Sequence, residues 1–431
     1  MSAAPRSQEN PATEAANLLT LLGLAILMLG LPLAGLFTKT AIYLLLPIGS
    51  VLVFIGSVLE SAEHHTHYLR GALLSRTTII GLFLVAWTCL SLLWTPFLAE
   101  ASEHLLKGLG TLALVILVGV VLPARTKPLH LFLLPTGLGL TVIGVGAMLF
   151  VGSDAFLTAA VFDDSLFERT VLTLIVLIWP ALGALALRER WISATVLTLG
   201  VAAVTIAGHA QITLAALGAG AFTFAIAMSS PVKVSRVLAC LFVPLILFAP
   251  AIPLLIRLLH QIAQLPLAPQ SSFAVWAQIL DHDGLARLIT GHGVEVANRA
   301  MALGYLPAGA PKSLLFLLWY DLGLLGALAF SLLTAFTLLG AGRLSASMSP
   351  ALLGGIVAVL LITFLGFATV QIWWASLLGT DIIAFLLLLK SPQRLTRPVA
   401  TEIDAIPDEE APSGQRALFR NISLESLRRL S

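Results

Sequence analysis

The chain has 431 residues, 58% of them hydrophobic and only 11% charged, with a mean hydropathy of +0.99. Soluble globular domains carry about 25% charged residues, so this composition excludes a soluble enzyme or nucleic-acid binder and implies a polytopic membrane protein. The formal net charge of +2 excludes no class of partner, because the distribution of charge among the loops is what counts.

Taken in chain order, residues 1–15 (MSAAPRSQENPATEA) are polar and too acidic for the n-region of a cleaved signal. The first apolar run is therefore expected to stay as a span behind a cytoplasmic N-tail. Twelve spans are predicted, at 16–37, 40–59, 77–94, 104–122, 129–151, 170–187, 192–207, 211–228, 235–256, 313–340, 349–367 and 371–390. The run 192–228 has only GHAQ as a break and is too long for one crossing, so it divides at His209. This gives nine spans over 16–256, a large outer loop at 257–312, three spans over 313–390 and a cytoplasmic tail at 391–431. The tail reads as a proline-rich spacer leading to a short basic amphipathic helix suited to anionic lipid.

Both cysteines, Cys89 and Cys240, fall in apolar runs, which excludes a loop disulfide and a cysteine metal site. His64, His65 and His67 lie together in EHHTH, but no second cluster completes a metal site, so they read as a solvated inner loop. No metal or cofactor is expected. Trp94, Trp191, Trp319, Trp373 and Trp374 stand near span ends, where indole rings anchor at the membrane interface. Of the 24 Lys and Arg, this arrangement sets seventeen on the side of the N-terminus and seven on the other, which orients both termini to the cytoplasm.

The loop 257–312, 56 residues long, is the largest connection. Phe273, Trp276, Ile279, Leu280, Leu288 and Ile289 recur at helical spacing in SSFAVWAQILDHDGLARLI. They predict helix there, either lying on the membrane surface or folded as a cap on the loop's own residues.

Five of the seven outer cations cluster, with Arg169 at the head of the sixth span and Arg257, Arg287, Arg299 and Lys312 in the loop. A helix over 291–304 would set His292, Glu295 and Arg299 on one face. Gly291 and Gly293 would then leave backbone N–H groups open to a phosphate at its start. Arginine suits a diphosphate because its fork donates two parallel hydrogen bonds. The plainer alternative is a Glu295–Arg299 surface pair of about 0.3–0.5 kcal/mol. Cations gathered at a membrane lip favour a lipid-linked diphosphate as substrate. Two carboxylates lie within spans. Asp321 is near the outer lip, within reach of Lys312 or Arg299. Asp381 is mid-span, serving either a proton relay or cation path or a helix–helix hydrogen bond.

Several segments in order carry a resemblance over roughly residues 80–390: AWTCLSLLWTPFLAEASEHLLKGLGTLAL, FERTVLTLIVLIWPALGAL, GHGVEVANRA, KSLLFLLWYDLGLLGAL and VQIWWASLL. They are similar to the early Trp-Ser/Thr-Pro segment, the Arg-led sixth span, the Gly-x-Gly…Arg loop element, the Glu-Leu-Gly span and the Trp-Trp last span of the O-antigen ligase and polymerase family. These are bacterial membrane glycosyltransferases with a large periplasmic loop late in the chain. The resemblance implies an all-helical fold in the bacterial inner membrane. It also implies metal-independent transfer of a glycan from undecaprenyl diphosphate to the hydroxyl of an acceptor glycolipid or glycan at the periplasmic face.

The substrate-binding candidates are then Arg169, Arg287, Gly291, Gly293, Arg299 and Asp321, the last standing where Glu is usual. Two positions depart from the family pattern. Lys312-Ser313 stands where His-Asn precedes the post-loop span, and Ser272 stands at the position of a loop arginine. The base is thus open among Lys312 (if held neutral), His292 and Glu295, while a charged Lys312 would bind phosphate instead. Two alternatives remain: a membrane transporter using Asp381, or a protein that binds a lipid-linked glycan without transferring it.

Overall fold

The computed structural model describes residues 11–38, 40–59, 75–122, 128–151, 164–208, 211–263, 271–307, 309–366 and 372–391. The proposed division at His209, the EHHTH histidines and the tail helix lie outside the described residues, as does the whole second unit, 392–431.

Every regular element among the described residues is helical. Helix α1 (Pro11–Ala25) continues through a π-turn (Ile26–Gly30) into a last turn (Leu31–Ala34). Pro32 begins that turn, and the wider π-turn spares the preceding carbonyls a clash with its ring. The first half of the bundle continues with α2 (Ala41–Leu59), α3 (Arg76–Leu90), α4 (Leu98–Val121), α5 (Pro128–Val151) and α6 (Asp164–Leu187). Next come α7 (Trp191–Ala207), α8 (Gln211–Ser229), α9 (Pro231–Leu247) and α10 (Ala251–Ala263). Three short helices follow, α11 (Ser272–His282), α12 (Leu285–Thr290) and α13 (Val296–Ala302). The chain then forms α14 (Leu314–Ala341), α15 (Ser349–Leu365) and α16 (Ile372–Leu389).

Among the described residues, eight helices are long and apolar enough to cross a membrane, or nine if the bent pair α9–α10 is one span. Three more apolar helices, Trp191–Ala207, Ser349–Leu365 and Trp373–Leu389, are shorter. Eleven of the predicted apolar runs fall on one of these helices each, whereas the run predicted as a single span at 235–256 is broken into the bent pair α9–α10. Large apolar side chains such as Phe222, Ile192, Val196 and Leu199 cover the outside of the bundle, a surface suited to lipid and costly in water. The architecture is that of a polytopic membrane protein.

Helix α6 is the hub, with 89% of its apolar window buried. Its Trp179 lies against Gly220 of α8 and Gly354 of α15, where an added Cβ would come within 2.3 and 2.9 Å of the indole. Small residues at these crossings let the helices close around one large ring. At the far end from α12 and α13, Lys390 donates to Gly119 O (2.9 Å) and Leu122 O (2.7 Å), capping the last carbonyls of α4.

Between α9 and α10 the chain bends by 78°. Leu254, Leu255, Leu258, Leu259 and Ile262 of α10 stay exposed, as on a helix that leaves its span to lie in the membrane interface. Arg257 of α10 grips Asp281 of α11 through both guanidinium nitrogens, with Nη2–Oδ1 at 3.2 Å. Helix α11 is the predicted loop helix, started by Ser271, whose hydroxyl accepts from Ala274 N. It does not pack only on the loop's own residues. Trp276, 4% exposed, meets Phe316 of α14 edge-on at 5.5 Å, so the loop is folded down onto the helix that follows it.

Candidate functional site

The site is built around a break in α14. The sequence LWYDLGLLG is apolar enough to continue as one helix, yet Gly323 has φ +65° and ψ −161°, and the helical ladder is interrupted there. The carbonyls released by the break all find partners. Tyr320 O accepts from His292 N (2.8 Å) and Asp321 O from Gly293 N (2.9 Å). Leu322 O accepts from Trp87 Nε1 of α3 (3.0 Å). From Gly323 to Ala341 the helix rises about 27 Å, close to the thickness of a bilayer core.

The loop segment 291–297 threads into this break. Gly291 (φ +74°) and Gly293 (φ +107°) allow the turn, and Glu295 is itself left-handed (φ +70°). The helix predicted over 291–304 begins only at Val296, so His292, Glu295 and Arg299 do not form one helical stripe. The correction extends to the expected phosphate nest, because the segment's N–H groups are taken. Gly291 N donates to Arg287 O, Val294 N to Ser91 Oγ and Val296 N to Gly293 O. Glu295 N and Ala297 N donate to the two oxygens of Asp321, at 3.1 and 2.8 Å. Gly291 and Gly293 therefore close the loop on α14 and against Thr95 and offer no open N–H groups. Asp321, 7% exposed, caps α13 in place of the expected pairing with Lys312 or Arg299.

His292 has both ring nitrogens engaged. Nδ1 lies 3.0 Å from Tyr320 O, Nε2 lies 3.2 Å from Asp283 Oδ1, and the ring stacks on Tyr320 at 4.0 Å. Both ring nitrogens thus face protein oxygens. His292, Asp283, Arg287, Trp276, Trp319 and Tyr320 line a recess of about 270 Å³ with its open mouth included. Lys312 is exposed and makes no hydrogen bond or ion pair among the described residues.

On the other flank, Thr95 of the Trp94-Thr95-Pro96 turn donates to Val294 O (3.1 Å) and packs against Gly293. The turn leads into α4, whose first turns carry Glu103, His104 and Lys107. Glu295 is buried, 4% exposed, and its Oε1 stands 3.2 Å from His104 Nδ1, off the axis of a hydrogen bond. The Glu295–Arg299 ion pair, the plainer alternative in the sequence, is not among the pairs of the described residues. Arg299, half-buried, instead lies within electrostatic reach of Glu103, which also pairs with Lys107. Two donors here, Trp94 Nε1 and Asn298 Nδ2, are buried with no acceptor among the described residues.

Arg169, at the head of α6, stacks its guanidinium over Trp373 at 5.2 Å. Helix α16 runs beside α4 in the same direction, since Gly379 faces Val115 and Thr111 while Lys390 reaches Gly119 and Leu122. Its start, with Trp373 and Arg169, therefore stands at the same end of the bundle as His104. Sequence reasoning assembled Arg169 and Arg299 but missed His104, Thr95 and Asp283. For His104 the signal was present, in the run of polar residues Glu100, Glu103, His104 and Lys107 opening an otherwise apolar helix. No family model matches the chain, and neither a curated protein nor a solved structure matches it.

Proposed function

We propose that this chain is a bacterial inner-membrane glycan transferase of the O-antigen ligase and polymerase kind. It moves a glycan from undecaprenyl diphosphate to a hydroxyl of an acceptor glycolipid or glycan at the periplasmic face. All twelve apolar runs then cross the membrane, both termini are cytoplasmic and 257–312 is periplasmic.

The observation that carries the proposal is the meeting of distant segments at one end of the bundle. Arg299 from the loop, the Trp94-Thr95-Pro96 turn, the polar start of α4 and the Arg169–Trp373 pair all stand there. Cations at a membrane lip suit a substrate whose charge sits where its lipid tail ends. In the reaction the bond between the anomeric carbon and the diphosphate breaks, and the departing oxygen gains charge. Arginines already fixed near that oxygen stabilise the transition state more than the ground state. Because the loop's N–H groups are consumed, this binding falls to side chains, with Arg299 and Arg169 foremost and Arg287 and Lys312 at the exposed rim.

The proposal is tested by the carrier-linked glycan pool in cells lacking the chain. Long polymer accumulating on the carrier identifies a ligase, and single repeat units identify a polymerase. An unchanged pool contradicts both. One observation favours a second reading, transport. Asp381 in α16 is 8% exposed, and its Oδ1 is buried with no hydrogen-bond partner among the described residues. An unchanged pool together with loss of function in Asp381→Asn would support that reading instead.

A further inference from the structure

Resting on the transfer reading above, we infer that His104 is the group that takes the proton from the acceptor hydroxyl, with Glu295 as its positioning residue. The geometry is that of a carboxylate-backed imidazole. Glu295 is buried and cannot itself touch a substrate, but its Oε1 stands against Nδ1 of His104 at 3.2 Å. Nδ1 is buried, whereas the side chain as a whole is one-third exposed. Nε2 has no hydrogen-bond partner among the described residues and is not buried, so it is open to the surface of the protein at this end of the bundle. A carboxylate behind one ring nitrogen fixes the ring and favours the positive charge it acquires when the other nitrogen accepts a proton. Such contacts are often imperfectly aligned without substrate and tighten when it binds.

The backbone holds Glu295 to this task. Its left-handed conformation (φ +70°) turns the side chain back toward α4 while its N–H is fixed by Asp321. A non-glycine residue held in that region is strained, and strain of this kind collects at functional positions. The charged groups nearby are Glu103, the preceding residue of α4, which lies within electrostatic reach of both His104 and Arg299, and Lys107, one turn further along α4. Arg299 on the diphosphate and His104 on the acceptor hydroxyl would stand on opposite sides of the anomeric carbon. The step balances as follows. The hydroxyl oxygen bonds to the anomeric carbon as its proton passes to His104 Nε2. The carbon–oxygen bond to the diphosphate breaks, and its electron pair leaves with undecaprenyl diphosphate.

The experiment uses membranes of the native cells carrying the full chain, with the decline of their own carrier-linked glycan as the readout. Wild-type membranes must consume that pool; if they do not, the transfer reading fails and His104 is not at issue. Given wild-type turnover, His104→Ala is expected to lose about 100-fold or more in rate, the scale of general-base catalysis. Added imidazole should restore part of the loss. His104→Gln, which keeps the size of the side chain, should lose as much. Glu295→Gln should lose less than His104→Ala and should add nothing in the His104→Ala background, since its effect runs through His104. Retention of turnover within about threefold in both His104 variants overturns the inference, as does a loss that imidazole leaves untouched; the 100-fold expectation is that of a proton acceptor.

Discussion

Gly291 and Gly323 meet backbone to backbone inside the break of α14. A Cβ added at Gly291 would lie 2.2 Å from Asp321 O, and one added at Gly323 would lie 2.5 Å from Gly291 N. Both residues have positive φ, so a side chain at either would meet strain as well as a clash with main chain that cannot move aside. Gly291→Ala and Gly323→Ala should each cost roughly 2–4 kcal/mol. Thermal unfolding in detergent, with Gly304→Ala as a positive-φ control in open space, separates the clash from the strain.

Asp321→Ala should free the start of α13. It removes the acceptor of two buried N–H groups, Glu295 N and Ala297 N, at a cost of about 2–4 kcal/mol. Asp321→Asn keeps one acceptor oxygen and should cost about half as much. Hydrogen exchange over 291–302 reads both, and unchanged protection in Asp321→Ala would contradict the capping role.

The grip of α10 on α11 should depend on acid. Hydrogen bonding from Arg257 holds the Asp281 carboxyl below the usual carboxylate range. A depressed folded value means the contribution is fully present above the unfolded value of about 3.9 and is lost as pH falls through the lower folded one. Exchange protection of 272–282, corrected for the intrinsic rate, should be flat from pH 8 to 5 and fall below about pH 4. Asp281→Asn should remove that fall, and salt should weaken the contact because both groups are exposed.

Orientation is testable without any substrate. In a chain whose Cys89 and Cys240 are replaced by serine, Leu285→Cys, at an 81% exposed position in the loop 257–312, should react with a membrane-impermeant thiol reagent in intact cells. Arg343→Cys, at the opposite end of α14, should react only after permeabilisation. The reverse pattern would invert the positive-inside reading.

The apolar stretches that form helices were legible in the sequence because runs of spanning length are a local signal, but the 78° bend within 235–256 and the polar first turns of α4 were not. The site was legible only in part. Arg169 and Arg299 stood out as cations on the side where cations are scarce. The break at Gly323 did not, because LLFLLWYDLGLLGAL is apolar apart from Asp321 and its unwinding is stabilised by His292, Gly293 and Trp87 from elsewhere in the chain. The same distance misled the reading of Gly291 and Gly293. Their neighbours in sequence suggested open N–H groups, while the acceptors come from Ser91, Tyr320 and Asp321. His104 was passed over because its partner, Glu295, lies 191 positions away in the numbering and turns toward it only through a left-handed backbone.

The most direct measurement is release of undecaprenyl diphosphate by the purified chain in proteoliposomes, with carrier-linked glycan from the deletion strain as donor and acceptor material from the same cells. Wild type should release it in step with glycan transfer, and Arg299→Ala should fall by about 100-fold while remaining folded. Absence of release by the wild type, or equal release by Arg299→Ala, would contradict the account of this end of the bundle as a diphosphate-glycan site.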